Sequence, residues 1–366
     1  MGFSCGIVGL PNVGKSTLFN CLSEAKAESA NYAFCTIEPN TGVVDVPDPR
    51  LKALADVVSP ERIIPATMKF TDIAGLVKGA SKGEGLGNKF LANIRECDAV
   101  AHVVRCFEDD NVLHVENSVD PLRDVQTIEM ELILCDVESV EKRLDKAKKM
   151  AKGQNALEKK ALPLCEALHA HLLEEKPART FDPGDDEDSK NIMRDMHLLT
   201  VKPTLFVANV DEEGFDPATN KHLAALKGLA DERGDELVVV CAKIESELID
   251  LDEEERNEFL QSLGLESAGL DRLIRAGYKL LGLITYLTAG VKEVRAWTIR
   301  EGTKAPGAAG VIHTDFEKKF VKAETIWWED YVEFNGEAGA RENGKLRMEG
   351  KEYVVKDGDV MTFKHG

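Results

Sequence analysis

A phosphate-binding loop near the start of the chain restricts what this sequence can fold into. The eight residues Gly9-Leu10-Pro11-Asn12-Val13-Gly14-Lys15-Ser16 have the pattern G-x-x-x-x-G-K-[ST], which binds the phosphates of a nucleoside triphosphate. An apolar run at 3–8 precedes the loop, and a helix-forming segment at 17–20 follows it. The motif requires this order of strand, loop and helix, so we expect an α/β fold of the P-loop NTPase class.

Each residue type in the loop has a physical role. Gly9 and Gly14 let the backbone curl, so that successive amide groups and the positive end of the following helix point at phosphate oxygens. Lys15 is expected to reach the β and γ phosphates and to act in catalysis, and the Ser16 hydroxyl is expected to bind Mg²⁺, which prefers oxygen ligands. The predicted phosphate-binding residues are Asn12, Val13, Gly14, Lys15, Ser16 and Thr17.

Two further segments are typical of P-loop proteins that switch with their nucleotide. The polar loop 31–40 contains Thr36, whose hydroxyl is a candidate Mg²⁺ ligand; a plain loop threonine is the alternative. A strand-like run ends in Asp72-Ile73-Ala74-Gly75, which has the pattern D-x-x-G. Asp72 is expected to hold Mg²⁺ through water, and the Gly75 amide is expected to sense the γ phosphate during catalysis. The glycine-rich segment 76–88 is interpreted as a nucleotide-ordered switch rather than a linker.

The residue after this motif departs from the familiar GTPase pattern. GTPases of this class carry glutamine there to orient the attacking water, whereas this chain has Leu76. An apolar side chain cannot orient water, so another group must do so. His114, in the segment 107–115 after a predicted strand at 99–106, is the candidate catalytic residue. A surface-loop histidine with no catalytic role is the alternative.

The base-reading motif also differs from the guanine pattern. The buried run 204–210 ends in Asn209-Val210-Asp211-Glu212, where a guanine reader has N-K-x-D. The stacking lysine is absent and the acid is the longer glutamate, so the loss of the guanine code favours ATP. The next strand ends in Ala242-Lys243, the position of the second base loop. The predicted base-site residues are Asn209, Val210, Glu212, Ala242 and Lys243.

The remaining periodicity predicts the domain organisation. Apolar residues recur at helical spacing through 133–151 and 157–172, which indicates an antiparallel coiled-coil hairpin with Pro163 as a possible kink. Near the C-terminus, short strand-like runs occur at 294–299, 325–334, 351–355 and 360–363. We therefore expect a nucleotide-binding domain at 1–129 and 197–282 with a mixed, mostly parallel Ras-like sheet, a helical insertion at 130–196 and a small β-grasp-like unit at 283–366.

Composition and charge limit which partners the protein can bind and in which cell compartment it is expected. The formal net charge of −19 argues against non-specific binding to free nucleic acid. The segment 283–366 is nearly neutral, with 13 Lys and Arg against 14 Asp and Glu, and is better suited to a phosphate-rich partner. The sequence has no run of about eighteen apolar residues for a membrane span and no secretory pattern, so we expect a cytoplasmic protein with no membrane partner. The eight cysteines show neither zinc spacing nor a disulfide framework.

Taken with its motifs, the chain resembles the YchF proteins, the Obg-like ATPases among the translation-factor-related P-loop GTPases. The matching segments are the phosphate loop, Asp72-Ile73-Ala74-Gly75-Leu76-Val77, Asn209-Val210-Asp211-Glu212, Ala242-Lys243-Ile244-Glu245, Val294-Arg295-Ala296-Trp297-Thr298, Gly310-Val311-Ile312-His313-Thr314-Asp315-Phe316 and Gly358-Asp359-Val360. The resemblance implies a C-terminal TGS domain of β-grasp type, a preference for ATP over GTP, and association with the ribosome, through its large subunit or as a whole.

The resemblance also suggests finer roles. Related GTPases with asparagine at the position of Asn12 use it to hold K⁺ beside the phosphates; a residue that merely fits the loop is the alternative. Arg295, Lys318, Lys319 and Lys322 are candidate contacts to ribosomal RNA, unless they are only solvated. Cys35 is either a redox-sensitive thiol or a packed one. The competing functions are a GTP-hydrolysing translation factor and a nucleotide-gated binding protein with negligible turnover. A small-molecule kinase is disfavoured, because the sequence shows no motif for a second substrate pocket.

Overall fold

The computed structural model describes residues 3–24, 40–73, 86–150 and 156–366 of the chain, except for the side chains of 86–89. The strands are β1 (Ser4–Val8), β2 (Thr41–Asp45), β3 (Ile63–Ile64), β4 (Thr67–Asp72), β5 (Ala99–Arg105), β6 (Thr204–Asn209), β7 (Glu236–Val240), β8 (Leu283–Ala289), β9 (Val294–Arg300), β10 (Phe320–Trp327), β11 (Arg347–Glu349) and β12 (Asp359–His365). The α-helices are α1 (Lys15–Glu24), α2 (Pro49–Val58), α3 (Leu86–Glu96), α4 (Pro121–Met150), α5 (Ala156–Leu173), α6 (Glu187–Asp195), α7 (Lys221–Arg233), α8 (Ala242–Leu248), α9 (Glu253–Ser262), α10 (Gly269–Leu280), α11 (Ala305–Ile312), α12 (Thr314–Lys318), α13 (Trp328–Glu333) and α14 (Glu337–Glu342).

A six-stranded mixed sheet carries the phosphate loop. Its strand order is β2-β4-β1-β5-β6-β7. β2 runs antiparallel to β4, whereas the other neighbouring pairs are parallel. β1 and β5 are buried along their whole length, as expected of parallel strands that are covered on both faces. The predicted Ras-like, mostly parallel sheet is therefore confirmed, and the phosphate loop leaves it at the carboxyl end of β1.

Local sequence signals set the ends of several helices around this sheet. The Asp48 carboxylate accepts a hydrogen bond from the Arg50 amide at the start of α2, and Pro49 occupies the first turn. The Asn220 side chain accepts hydrogen bonds from the amides of residues 222 and 223 at the start of α7. This helix ends at Gly234, whose φ of 70° favours glycine. The Asn220 amide also donates to the Cys106 carbonyl, in the segment after β5.

The helical hairpin forms as the periodicity predicts, but its first helix is longer. α4 and α5 pack around a shared apolar cluster that includes Val140, Leu144, Ala161 and Leu168. α4 begins at Pro121, so the predicted boundary at 130 falls inside a helix whose first turns pack on the nucleotide-binding domain. Pro163 lies within α5. Among the described helices, none combines the length and the apolar composition needed to cross a membrane.

A second mixed sheet forms the C-terminal unit, with strand order β11-β10-β12-β8-β9-β3. Two strand predictions here were wrong. The run 325–334 stays extended only to Trp327 and then forms α13, whose first turn carries two acids that suit a helix N-terminus. The run 351–355 contributes only an isolated bridge between Lys304 and Val354. Aromatic and β-branched residues favour strands in general, and here packing overrides that preference.

The C-terminal unit packs directly on the nucleotide-binding domain through α2 and β3. The short strand β3 pairs with β9 and so extends the second sheet. Arg50 in α2 donates to the Asp357 carboxylate over 2.8 Å, and that carboxylate also accepts from the Thr285 amide over 2.8 Å. Leu54 of α2 and Tyr331 of α13 belong to one apolar core. The predicted boundary at 283 coincides with the start of β8, but packing is continuous across it.

Candidate nucleotide-binding site

The phosphate loop takes its shape from two residues in the left-handed region of backbone space. Asn12 has a φ of 62° and Gly14 a φ of 91°. A Cβ atom on Gly14 would lie 2.1 Å from Nδ2 of Asn209, so only glycine fits there. The loop ends at α1, whose first residue, Lys15, is 7% exposed. Asn12 and Gly14 of the loop and Thr17 of α1 line an open cavity, where backbone amides and a helix N-terminus favour an anion.

A cation and a carboxylate meet beside this loop. The Lys15 ammonium forms an ion pair with the Asp72 carboxylate at the end of β4, which pairs with β1. Ser16, the residue after Lys15, is exposed at the start of α1. One hydroxyl and one carboxylate are hard oxygen ligands, and Mg²⁺ is usually held by one or two such groups together with phosphates and water. Ser16 and Asp72 therefore fit the Mg²⁺ role predicted for them.

Asn209 joins the phosphate loop to the second base loop. Its side chain is buried at the end of β6, where Nδ2 donates to the Val13 carbonyl over 2.9 Å and Oδ1 accepts from the Ala242 amide over 3.0 Å. Both ends of the amide are thus used within the protein. The prediction placed Asn209 at the nucleotide base; the structure gives it a supporting position that holds two nucleotide-facing loops together.

The predicted base loops line one open cavity of about 610 Å³. Its walls are formed by Asn12, Gly14, Thr17, Phe107, Glu108, Asp109, Val112, Asn209, Val210, Asp211, Glu212, Cys241, Ala242, Lys243 and Ser246. At the mouth, the Lys243 ammonium lies 2.7 Å from the Glu212 carboxylate, and this ion pair raises the pKa of Lys243. The cavity therefore brings together predicted residues from the phosphate loop and from both base loops.

The wall formed by residues 107–112 was missed from the sequence. This segment follows β5 at the carboxyl edge of the sheet, where open α/β sheets usually bind their ligands, and that position was the available signal. The next residue, Leu113, accepts a hydrogen bond from the Asn12 side chain through its carbonyl over 3.0 Å. The segment therefore contacts the phosphate loop as well as lining the cavity.

His114 lies one residue beyond this contact, but its ring points into the protein. Nε2 is 2.9 Å from the Asp124 carboxylate, and Nδ1 accepts a hydrogen bond from the Glu116 amide over 3.1 Å. Both ring nitrogens are therefore engaged, and the residue is 8% exposed. The alternative of a freely exposed loop histidine is wrong. The catalytic role stays a prediction, and it requires the ring to leave Asp124.

Comparisons with known proteins bear on the identity of this site. Residues 4–137 match the family model MMR_HSR1, described as 50S ribosome-binding GTPase. Residues 283–366 match the model YchF-GTPase_C, described as a protein of unknown function (DUF933). The Ribosome-binding ATPase YchF of Haemophilus influenzae (strain ATCC 51907 / DSM 11121 / KW20 / Rd) is 58% identical over 364 residues, which cover 100% of this chain and 99% of the relative. The chain belongs to the YchF family.

Other YchF proteins match over the same length. The Ribosome-binding ATPase YchF of Bacillus subtilis (strain 168) is 53% identical over 365 residues, which cover 100% of this chain and 99% of the relative. The structure of the Schizosaccharomyces pombe YchF GTPase superposes with a TM-score of 0.88 at 41% identity and covers 99% of this chain and 98% of that one. The YchF fold therefore extends through both sheets and the helical hairpin, and the predicted family and fold class are confirmed.

Several predicted site residues lie outside the described part of the chain. These are Thr36, the candidate Mg²⁺ ligand, Cys35 beside it, Gly75 of the D-x-x-G motif and Leu76 after it. Their roles stay predictions. The described cysteines, at 5, 21, 97, 106, 135, 165 and 241, are all buried, as expected of small apolar residues.

Proposed function

We propose that this chain is a Mg²⁺-dependent ATPase that hydrolyses ATP to ADP and phosphate and uses its nucleotide state to control association with the ribosome. The YchF relatives are named ribosome-binding ATPases, and these names support both halves of the proposal. The observation that carries it in this chain is the base end of the cavity, where the guanine-reading residues are replaced.

The base end lacks the chemistry that selects guanine. Val210 occupies the position of the stacking lysine of a guanine reader and is 2% exposed. Unlike lysine, it has no long aliphatic stem that could lie along a purine ring. Lys243 binds one oxygen of the Glu212 carboxylate, which leaves this acid fewer acceptor sites for the two guanine donors. The pair still offers carboxylate acceptors and ammonium donors side by side, which suit the amino group and a ring nitrogen of adenine. We therefore assign ATP as the preferred substrate.

Phosphate binding and charge neutralisation follow from the loop geometry. The backbone amides of the phosphate loop and the N-terminus of α1 bind the β and γ phosphates, and Lys15 turns from Asp72 toward them. Ser16, Thr36 and Asp72 would hold Mg²⁺, and the ion would supply charge neutralisation at the phosphate oxygens. The Gly75 amide donates to the γ phosphate, so its hydrogen bond is lost once phosphate leaves.

Water orientation falls to His114 in this proposal. The ring leaves Asp124, which frees its Nε2–H to donate a hydrogen bond to the attacking water and so to orient it, while Nδ1 keeps the hydrogen bond from the Glu116 amide. Replacement by alanine should therefore abolish turnover and leave ATP binding within about twofold of wild type, since the ring lines no part of the base cavity. Unchanged binding together with unchanged turnover would remove His114 from the mechanism.

A monovalent cation is a second proposal for the phosphate loop. Asn12 would hold K⁺ beside the leaving phosphates, which requires its side chain to release the Leu113 carbonyl. Turnover measured in K⁺ and in Na⁺ at equal ionic strength tests the role. Equal rates in the two salts would leave Asn12 with only its structural contact to Leu113.

The C-terminal unit is proposed to bind the ribosome, and the contact is proposed to be with the large ribosomal subunit. The description of the matching family model as 50S ribosome-binding supports that choice of subunit. The candidate RNA contacts are Arg295, Lys318, Lys319 and Lys322; the Arg295 guanidinium lies 3.9 Å from the centre of the Trp297 ring. Since ribosomes work in the cytoplasm, we place the protein there.

Calorimetric titration of the full chain with non-hydrolysable ATP and GTP analogues in Mg²⁺, with and without 50S subunits, tests the proposal. We expect tighter binding of the ATP analogue and a shift in its affinity when subunits are added. Preferential GTP binding would instead make the protein a GTP-hydrolysing factor. Single-turnover phosphate release separates an ATPase from a nucleotide-gated binding protein, because the latter releases none on the timescale of binding.

A further inference from the structure

Arg105, the last residue of β5, lies buried behind one wall of the nucleotide cavity. It is 2% exposed and is among the largest fully buried side chains of the described residues. A guanidinium removed from water needs several hydrogen bonds to offset its lost hydration. Those of Arg105 go to backbone carbonyls of the segment that follows it in the chain.

The planar guanidinium binds three carbonyls of one short loop. Nε donates to the Phe107 carbonyl over 3.1 Å, Nη1 to the Val112 carbonyl over 2.9 Å, and Nη2 to the Asp109 carbonyl over 3.2 Å. The guanidinium carbon also lies 4.6 Å from the centre of the Phe107 ring. Residues 107–112 are therefore folded around the single side chain of Arg105.

The opposite side of this loop faces the nucleotide cavity. Phe107, Glu108, Asp109 and Val112 line it, across from the base loops at 209–212 and 241–246. Two other contacts pin the loop near its ends: Nδ2 of Asn220 donates to the Cys106 carbonyl over 2.9 Å, and the Leu113 carbonyl accepts from Asn12. Between these ends, the hydrogen bonds from Arg105 hold the wall from behind.

We propose that Arg105 is a positioning residue that sets the nucleobase preference of the cavity by holding residues 107–112 as its wall. The proposal rests on the proposed function only in taking the cavity as a nucleotide site. A lysine at this position keeps the charge but offers one nitrogen, and one nitrogen cannot replace three donors that are fixed in a plane. The wall would then lose its fixed distance from the base loops, and with it the discrimination between purines.

The test compares Arg105→Lys and Arg105→Met with wild type and with Arg143→Lys. Arg143 is a matched control, because it donates to the Glu158 carboxylate over 2.7 Å inside the helical hairpin, away from the cavity. Calorimetry gives the dissociation constants of the ATP and GTP analogues, and thermal melting reports the stability of each protein. We expect Arg105→Lys to weaken the preferred nucleotide about tenfold, equivalent to one net charge-assisted hydrogen bond, and to move the GTP-to-ATP ratio toward one.

A purely structural role gives a different pattern. If Arg105→Lys melts as early as Arg143→Lys but keeps both dissociation constants, the proposal is overturned. An equal weakening of both nucleotides, with the ratio preserved, also overturns it. A wild-type protein that prefers GTP would sink the proposed ATPase function alone, since the ratio should still move toward one in Arg105→Lys. A wild-type protein with no preference would overturn both proposals.

A measurement on the wild-type chain covers the case in which the variants do not fold. Hydrogen exchange of residues 107–113 is followed at saturating ATP analogue and at saturating GTP analogue. If this wall reads the base, the preferred nucleotide slows exchange there more than the other one does. Equal protection by the two nucleotides would overturn the proposal without any substitution.

Discussion

Replacing Asn209 with alanine should separate the two loops that this residue joins. The substitution removes the hydrogen bonds to the Val13 carbonyl, at 2.9 Å, and from the Ala242 amide, at 3.0 Å. Val13 is 1% exposed and Ala242 is 6% exposed, so both groups lose their partner in a buried setting. Each buried group left unsatisfied costs about 1–3 kcal/mol.

The loss of folding free energy should lie at the lower end of the range obtained by adding the costs of the two unsatisfied groups. Asn209 borders an open cavity, and a water molecule entering from it would restore part of the lost bonding. We therefore expect Asn209→Ala to lower the free energy of unfolding by about 2–3 kcal/mol, a large fraction of the roughly 5–15 kcal/mol that is typical of a domain. The dissociation constant for the ATP analogue should rise about tenfold or more, since the phosphate and base loops are no longer held in register.

Urea unfolding and calorimetric titration of the same preparations provide the two readouts. Thr200→Val is the matched control, because the Thr200 hydroxyl also makes two buried hydrogen bonds, to the Asp136 carboxylate over 2.6 Å and from the Ala178 amide over 2.8 Å, away from the cavity. It should lose similar stability and keep its nucleotide affinity. If Asn209→Ala stays within about 0.5 kcal/mol of wild type, the reasoning about unsatisfied groups is refuted.

Three further substitutions have defined outcomes. Gly14→Ala forces a Cβ against Asn209 at a φ of 91° and should weaken ATP binding more than about tenfold by calorimetry; retained affinity would show that the loop relaxes freely. Burial lowers the pKa of His102 from 6.5 to about 4, so the unfolded chain takes up the proton first and stability should fall as pH drops from 6.5 to 4. The slope should approach about 1.4 kcal/mol per pH unit in urea titrations and flatten in His102→Leu; equal slopes in both proteins would contradict this. Asp124→Asn weakens the bond that holds His114 and should speed single-turnover hydrolysis about fivefold, worth roughly 1 kcal/mol; slower hydrolysis would mean that Asp124 assists catalysis.

The sequence predicted those parts of the site that are set by local backbone chemistry. The phosphate loop needs glycine at fixed positions, and the buried strands beside it are continuous hydrophobic runs. Both features can therefore be recognised from the sequence alone. The helical hairpin was visible through its periodicity, although its start was placed nine residues late, because the first turns of α4 pack on the domain and not on α5. The strand predicted through 328–334 failed, because composition cannot reveal where packing turns a chain into a helix.

The supporting contacts were hidden for a different reason. Asn209 matches a base-reading motif, yet what it does depends on two backbone groups, at 13 and 242, that the fold brings to it. Arg105 has no motif at all, since its partners are carbonyls, which every residue carries. Side chains that act through backbone groups leave no residue-type pattern, so they can be found only when the distances are known.

One consequence concerns how binding and hydrolysis are linked. The chain from Arg105 to Asp124 first forms the cavity wall, then contacts Asn12 through Leu113, and then anchors His114. Because His114 directly follows Leu113, we expect a movement that brings its ring to the γ phosphate to shift the carbonyl that Asn12 binds as well. Release of Asn12 for K⁺ and release of His114 for water would then be one conformational step. If Arg105 keeps residues 107–112 in place during that step, base recognition would persist while the catalytic end of the loop changes.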